Sequence, residues 1–269
     1  MASISAIVLC IGITLICIVV IVASYVGTKK VAVLNMYSEN AMIIVEPRMH
    51  EHLSRVLLNF DSAVDTTWDL YIFHGSGKKH GDHAKAAVAG IEGHRNVFFC
   101  DLGTKNLNAN QYNRLFKQAS FWNRVHAENI LVFQTDAAVC KNTKFKIEDF
   151  MDLDYIGCAS SMRGLGTDGN VWDKNNYYGV GGLSFRKKSF MMDAIQSNRN
   201  IDRNFPEDVF FSNHVAMSNK RPKDVQRLHN FCAQNYYVTD SWGSHKVDVM
   251  FAGTNKKDFQ DYCPESIGI

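Results

Sequence analysis

The sequence predicts an α/β domain with a mostly parallel sheet, preceded by one transmembrane helix. Short β-rich runs alternate with stretches of helical periodicity, which is typical of a parallel sheet flanked by helices. The chain has 269 residues with 46% apolar content, enough for one well-packed domain. Its 29 basic and 27 acidic residues give a net charge of +2, which argues against nucleic acid as the main partner.

The apolar run from Ile4 to Val26, ISAIVLCIGITLICIVVIVASYV, predicts the membrane helix. At about 1.5 Å per residue, a helix of this length crosses a hydrocarbon core of roughly 30 Å. A cleaved signal peptide is the alternative, but it would begin with basic residues and have a shorter apolar run. We therefore predict a transmembrane anchor over residues 1–28 and a single domain over residues 29–269.

The charges beside the span predict on which side of the membrane the body lies. No charged residue precedes Lys29 and Lys30, so the positive-inside tendency places the body in the cytosol. None of the 22 Asn residues stands in an Asn-x-Ser/Thr acceptor site, which a lumenal surface would often carry. The body cysteines are odd in number and widely spaced, unlike a disulfide framework. They are Cys100, Cys140, Cys158, Cys232 and Cys263.

The body divides into alternating predicted strands and helices. Predicted strands cover residues 31–34, 42–45, 68–75, 96–100, 129–136, 152–158 and 180–187. After the second strand, Glu46-Pro47 is expected to open a helix, since proline is tolerated in a first turn. Leu53, Val56, Leu57 and Phe60 follow at helical spacing and form its buried face.

The later helices follow from capping and periodicity. A helix is predicted from Asn108 or Asn110, either of which could be its N-cap. Its inward residues are Tyr112, Leu115, Phe116, Ala119 and Trp122. Further helices are expected at 187–197 and 207–217. The Gly- and Asn-rich region 160–178 has little apolar periodicity and is predicted to be a long loop.

Asp136 is the first candidate for chemistry, because it follows a run of four apolar residues, 130–133. Ligands of open α/β sheets bind beyond the carboxyl ends of the strands. A carboxylate placed there can hold a divalent cation or bind a ribose or sugar hydroxyl. A simple turn or helix-capping role explains the same residue equally well.

Three further features could belong to the same site. Gly181 and Gly182 lie at the start of the strand predicted over 180–187, where they permit close approach of a ligand or form a bulge. Glu207 and Asp208 begin a predicted helix. There they either interact favourably with the helix dipole or act as a general base. His245 is a metal-ligand or phosphate-contact candidate, with a structural role as the alternative.

Taken in order, these features resemble the landmarks of GT-A glycosyltransferases. Those are an Asp-x-Asp type acid motif, a glycine-rich loop, an x-Glu-Asp motif and a C-terminal His. The segments WDLYIFHG, FQTD, DYIGC, GGLSFRKKSF and PEDVFF more closely resemble a small group of glycosyltransferase-like proteins, some from large DNA viruses. The resemblance covers roughly residues 31–250 and implies a GT-A-like, Rossmann-type domain. If the chain is viral, its membrane is that of the host cell or virion.

The resemblance also implies roles for individual residues. A nucleotide-sugar donor would bind beside the segment Gln134-Thr135-Asp136, with Asp136 on a metal ion or a ribose. Gly181 and Gly182 would line the donor sugar and acceptor. Asp208, or Glu207, would deprotonate the acceptor hydroxyl. His245 would be the second metal or diphosphate ligand.

One departure from the family pattern concerns the cation. Gln134 stands where the pattern has its first Asp, which weakens a site for Mn or Mg because hard cations prefer anionic oxygen. Arg186 or Lys187 is expected to offset the diphosphate charge instead. Glu46 and Arg48 are further candidate nucleotide contacts, with helix capping and surface pairing as the alternatives.

The resulting hypothesis is a membrane-anchored glycosyltransferase that moves a sugar from a nucleotide-sugar donor to a hydroxyl of a glycan or protein acceptor. Two alternatives stay open. One is a non-catalytic nucleotide- or carbohydrate-binding protein on a degenerate transferase scaffold. The other is a structural membrane protein whose acids serve only as caps. Nucleotide-sugar binding excludes the last, and donor hydrolysis separates the first two.

Overall fold

The computed structural model describes residues 37–91, 93–159, 179–197, 205–216, 218–223, 225–234, 240–251 and 253–269. Residues Glu39–Ile269 form one structural unit. The predicted membrane helix, the predicted strand at 31–34 and the predicted loop at 160–178 lie outside the described residues. Within the described ranges, no helix has both the length and the apolar character needed to cross a membrane.

A six-stranded sheet forms the centre of the unit, with strand order β3-β2-β1-β4-β7-β6. Its strands are β1 Asn40–Glu46, β2 Asp69–His74, β3 Val97–Asp101, β4 Asn129–Phe133, β6 Tyr155–Ala159 and β7 Gly179–Lys187. The strands β1 to β4 run parallel, whereas β7 is antiparallel to both of its neighbours. The prediction of a mostly parallel sheet flanked by helices is confirmed.

The chain order creates a switch point between β1 and β4. From β1 the chain proceeds to β2 and β3 on one side, then returns to place β4 on the other side of β1. β4 is buried along its whole length, which explains the apolar run 130–133 within it. Because loops leave the two strands in opposite directions, a crevice opens beyond their carboxyl ends.

The helices pack around this sheet. They are α1 Leu53–Ala63, α2 Lys78–Ala87, α3 Ala109–Phe116, α4 Ala119–Trp122, α5 Lys188–Gln196, α6 Glu207–Val215, α7 Val225–Phe231, α8 Val247–Met250 and α9 Gly253–Tyr262. Short 3-10 turns cover Ile147–Phe150 and Pro264–Ser266. The predicted helices at 187–197 and 207–217 match α5 and α6 to within two residues.

The predicted start of the first helix is wrong, although its buried face is confirmed. Leu53, Val56, Leu57 and Phe60 are the buried residues of α1. Glu46, however, is the last residue of β1, because a residue before proline is pushed toward extended geometry. Its carboxylate then accepts the backbone N–H of Arg48 at 2.9 Å, which fixes a turn rather than a helix.

The predicted helix from Asn108 is confirmed at its start and divided further along. Asn108 and Gln111 form a reciprocal capping box at the beginning of α3. The helix ends at Phe116, whose carbonyl accepts a 2.7 Å hydrogen bond from the indole N–H of Trp122. This side-chain bond satisfies a terminal carbonyl and lets the chain restart as α4.

A second, three-stranded sheet carries residues from the end of the chain to the end of β4. Its strands are β5 Ala137–Val139, β8 Cys232–Ala233 and β9 Gly243–His245. β9 pairs antiparallel with β5, and His245 lies opposite Ala137. The backbone N–H of Lys246 donates to the Asp136 carbonyl at 2.9 Å. This pairing places His245 and Lys246 beside Asp136.

The prediction that the body cysteines form no disulfide framework is wrong. Cys140 is bonded to Cys263, and Cys158 is bonded to Cys232, while Cys100 is free. The partners are 123 and 74 residues apart in the sequence. Such long-range pairs leave no spacing signature, because only the tertiary fold brings them together. The cysteine argument for a cytosolic body therefore no longer holds.

Candidate functional site

A cleft of about 260 Å³ lies beyond the carboxyl ends of β1 and β4. It is lined by residues 45–48, 106–107 and 134–136, with Tyr112 and Lys246. The first segment spans the end of β1, and the third directly follows β4, the two strands at the switch point. The cleft therefore occupies the position at which α/β sheets bind ligands.

The floor of the cleft holds a cluster of nitrogen and oxygen atoms that could ligate a metal ion and that come from distant parts of the chain. The Nε2 atom of His245 lies 3.2 Å from Oδ1 of Asp136 and 3.2 Å from Oε1 of Gln134. Oδ1 is buried and out of line for a hydrogen bond, so no described group satisfies it. Burial raises the pKa of Asp136, but His245 and the charge of Lys246 outweigh burial, and that pKa is lowered.

The orientation of His245 is fixed from behind. Its Nδ1 atom lies 2.8 Å from Oε1 of Gln234. In the tautomer with the proton on Nδ1, Gln234 accepts that proton and Nε2 presents a lone pair to the cleft, as a metal ligand must. Gly182 packs against the ring, and a Cβ built there would lie 2.1 Å from Nε2. A glycine is required at this position because any side chain would displace the imidazole.

A second polar pair lies at the end of β1. The guanidinium of Arg48 donates to both carboxylate oxygens of Glu46, at 2.9 and 2.7 Å. Glu46 is 5% exposed and Arg48 is 57% exposed, so the carboxylate is buried while the guanidinium reaches solvent. The Glu46 carboxylate raises the pKa of Arg48. The two residues neutralise each other at the wall of the cleft.

Glu207 and Arg186 lie in the core, where they bind each other. Their side chains form two hydrogen bonds of 2.6 and 3.0 Å. The arginine is 0% exposed and is surrounded by four aromatic rings, with centroids no more than 5.9 Å away. Burial opposes its charge, but the Glu207 carboxylate outweighs burial and the pKa of Arg186 is raised.

Asp208 is placed differently from its neighbour in α6. It is partly exposed, and its Oδ2 atom accepts the Gly181 N–H at 3.4 Å while Oδ1 accepts the Val209 N–H at 2.8 Å. Gly181 directly precedes Gly182, which packs against His245. Two consecutive residues of β7 thus connect Asp208 with the cluster at the cleft floor.

The family described as "Protein of unknown function (DUF5672)" matches residues 99–247. The chain belongs to this family. No curated protein matches this DUF5672 chain.

The DUF5672 chain is also similar to solved structures of glycosyltransferases. The mannosyltransferase PcManGT from Pyrobaculum calidifontis, in complex with GDP-Man and Mn2+, is 13% identical with a TM-score of 0.44. The apo WbbM bifunctional glycosyltransferase is 9% identical with a TM-score of 0.46. The glycosyltransferase GlyE of Streptococcus pneumoniae TIGR4 is 11% identical with a TM-score of 0.40.

Each of the three alignments covers only part of this chain and only part of the solved chain. They cover 71%, 87% and 68% of this chain, and 56%, 50% and 44% of the respective solved chains. The DUF5672 chain therefore spans about half the length of the structures that it resembles.

The structure brings together some of the predicted site residues of the DUF5672 chain and separates others. Glu46, Arg48, Gln134, Thr135 and Asp136 line one cleft. His245 contacts this set through Gln134 and Asp136, and Gly182 contacts His245. Glu207, Asp208 and Arg186 are not among the described lining residues. Glu207 and Arg186 are buried against each other, and Asp208 is connected to the cluster through Gly181.

The prediction that Arg186 or Lys187 faces a diphosphate does not match their positions. Arg186 is enclosed in the core, and Nζ of Lys187 donates to Oδ1 of Asn129 at 2.5 Å. In both cases the positively charged group already donates hydrogen bonds to an acceptor within the protein. The positive charge that lines the cleft beside Asp136 is instead that of Lys246.

Two residues of the cleft were missed from the sequence. Tyr112 was assigned to the apolar face of its helix, yet it lines the cleft and its hydroxyl is buried without a hydrogen-bond partner among the described residues. Burial raises the pKa of Tyr112, and the nearby Gln134 side chain opposes that rise. The signal available in the sequence was a hydroxyl group on the otherwise apolar face of the predicted helix. Lys246 carried no local signal, because its position depends on the β5–β9 pairing.

The described residues contain no group of three His, Cys, Asp or Glu side chains that could hold a metal ion. Asp136 and His245 are two such ligands, and Gln134 contributes an amide oxygen instead of a third acid. Ligands at about 2.1 Å in an octahedral shell lie about 3 Å apart. The 3.2 Å separations around Nε2 and the unsatisfied Oδ1 atom fit a divalent cation held by these three side chains.

Proposed function

We propose that the chain is a glycosyltransferase that moves a sugar from a nucleotide-sugar donor to an acceptor hydroxyl in the cleft beyond β1 and β4. The observation that carries this proposal is the convergence of Gln134, Asp136 and His245, from positions 111 residues apart, at the switch point of the sheet. The order of the motifs along the chain, from FQTD to SH, supports the same reaction.

In this reaction the bond between the sugar carbon and the phosphate oxygen breaks, and its electron pair leaves with the diphosphate. The acceptor oxygen forms the new bond to the sugar and loses its proton to a carboxylate. Asp208 suits the role of base because it is partly exposed. A single displacement of the diphosphate by the acceptor oxygen, with Asp208 taking its proton, would invert the anomeric centre. Glu207 does not suit it, because both of its oxygens accept from Arg186.

A divalent cation, Mn or Mg, would be held by Asp136, His245 and Gln134. When bound, such an ion supplies positive charge that stabilises the departing diphosphate. The chain's own contribution is to orient His245 through Gln234 and to keep Oδ1 of Asp136 free of competing donors among the described residues. Glu46 and Arg48 would contact the nucleotide at the opposite wall.

The proposal is tested on the purified full chain with a panel of nucleotide sugars, with and without Mn²⁺. We expect one donor to raise the melting temperature and to be hydrolysed slowly. Asp208→Asn should abolish turnover while donor binding survives. Asp82→Asn, which removes an acid that is 56% exposed on α2, is the matched control and should leave turnover unchanged. Unchanged turnover in Asp208→Asn would exclude the base role.

A non-catalytic nucleotide- or carbohydrate-binding protein is the second candidate. It is favoured by Gln134, which supplies a neutral ligand where a carboxylate would bind a cation more tightly. It is also favoured by Glu207, whose carboxylate is occupied in the core. Stabilisation by a nucleotide sugar without hydrolysis or transfer, across the whole panel, would favour this candidate over the enzyme.

We further propose that residues 4–26 anchor the protein as a single membrane span, in a host-cell or virion membrane if the chain is viral. The two disulfides argue for an oxidising compartment on the side of the body, against the cytosolic side predicted from Lys29 and Lys30. A protease-protection assay on sealed membranes measures the side directly. The assay uses freshly isolated, sealed vesicles with their cytosolic side outward. Digestion of the body without detergent would contradict its placement in an oxidising compartment.

A further inference from the structure

Lys246 has a backbone conformation that is unfavourable for a residue with a side chain. Its φ of 55° and ψ of 34° are left-handed, and it is the only non-glycine residue with positive φ in the described ranges. A left-handed conformation is unfavourable for an L-residue because Cβ comes too close to the following carbonyl oxygen. Its N–H donates to Asp136, and its carbonyl accepts the N–H of Met250 at 2.9 Å. These contacts on both sides hold the conformation in place.

The side chain of Lys246 is half-buried in the cleft without an ionic partner among the described residues. Arg48, the other cation of the described cleft lining, is paired with Glu46. The ammonium group of Lys246 acts on the Asp136 carboxylate through its charge, outside ion-pair distance in the described part of the chain. A strained backbone and an unpaired ammonium group coincide at one residue of the candidate site. Strain of this kind persists where the local geometry serves a function.

We propose that Lys246 binds the diphosphate of the donor, an inference that rests on the proposed function. Glu46 and Arg48 neutralise each other, so Asp136 and Lys246 are the remaining charges of the described cleft lining. A diphosphate that approaches Asp136 needs a positive group on the same wall. Lys246 supplies it, and when the sugar–phosphate bond breaks, its ammonium group stabilises the charge that develops on the departing phosphate oxygen.

The strain gives this proposal a test in which stability and binding change in opposite directions. Lys246→Gly removes the ammonium group and relieves the left-handed strain. It should raise the melting temperature by about 2–4 °C. It should also weaken the binding of inorganic pyrophosphate, UDP or GDP by roughly tenfold or more, since charge-assisted contacts are lost. Lys246→Arg should retain most of the binding.

Lys246→Met serves as the second variant, because it removes the charge while keeping the backbone strain and most of the side-chain volume. Lys144→Met, at a lysine that is 67% exposed, is the matched control and should bind pyrophosphate as the wild type does. Binding is measured by isothermal titration on the full chain, with uridine and guanosine as uncharged probes.

The outcomes separate this inference from the proposed function. If UDP or GDP binds and neither charge-removing variant weakens it, the role of Lys246 is overturned while the transferase proposal stands. If pyrophosphate binds in a Lys246-dependent way but no nucleotide or nucleotide sugar binds, the anion contact is supported and the nucleotide-sugar function is overturned. If wild type binds none of the probes, both are overturned. A fall in the melting temperature of Lys246→Gly would contradict the strain argument.

Discussion

Replacing Glu207 with alanine decides whether this residue belongs to the chemistry or to the core. The substitution leaves the Arg186 guanidinium, which is 0% exposed, without its two carboxylate hydrogen bonds. Among the described residues, only the Ser184 hydroxyl at 2.9 Å and the Gly181 carbonyl at 3.3 Å would still accept from it. Breaking a buried ion pair from one side costs roughly 3–5 kcal/mol, a large share of the stability of a typical domain.

Urea unfolding followed by tryptophan fluorescence measures this cost. With an m-value of about 2–3 kcal/mol/M, we expect the midpoint to fall by about 1–2 M. The double variant Arg186→Met with Glu207→Leu is the control, because four aromatic rings surround the guanidinium and an apolar pair should recover most of the loss. The reasoning is refuted if Glu207→Ala unfolds at the wild-type midpoint yet loses donor hydrolysis, since Glu207 would then act on substrate.

Three further predictions follow from individual contacts. Tyr112→Phe should raise stability by about 1 kcal/mol, because it removes a buried hydroxyl without a described partner; a lower urea midpoint would reveal a partner. Gly182→Ala should push the His245 ring away and remove any Mn²⁺-dependent rise in melting temperature, whereas an unchanged Mn²⁺ effect would exclude His245 as a ligand. Reduction of the Cys140–Cys263 bond, which closes a 123-residue loop, should cost roughly 4–5 kcal/mol; equal midpoints with and without reductant would contradict the pairing.

The parts of the fold that the sequence predicted well are those with local causes. The buried face of α1 follows from apolar residues at helical spacing, and the start of α3 follows from the Asn108–Gln111 capping box. β4 was predicted from the apolar run 130–133, because a strand buried on both faces is a nearly continuous apolar run. Its position in the sheet also placed Asp136 at a crevice, which required only the general rule for open α/β sheets.

The second sheet had no comparable signal. Its strands β5, β8 and β9 are only two or three residues long, too short for a recognisable alternation of apolar and polar residues. Yet β9 is what carries His245 and Lys246 to the cleft. The same limit applies to Arg186, where only packing shows that the cation belongs to Glu207 and not to a ligand.

The sequence alone determined the α/β class, the main strands and helices, and the acid at the end of β4, because each depends on neighbouring residues along the chain. Tertiary structure decided which charges are free to act. It buried Glu207 against Arg186, paired four of the body cysteines, and set Lys246 in a left-handed turn beside Asp136. These outcomes depend on contacts between residues far apart in the chain, for which local sequence carries no information.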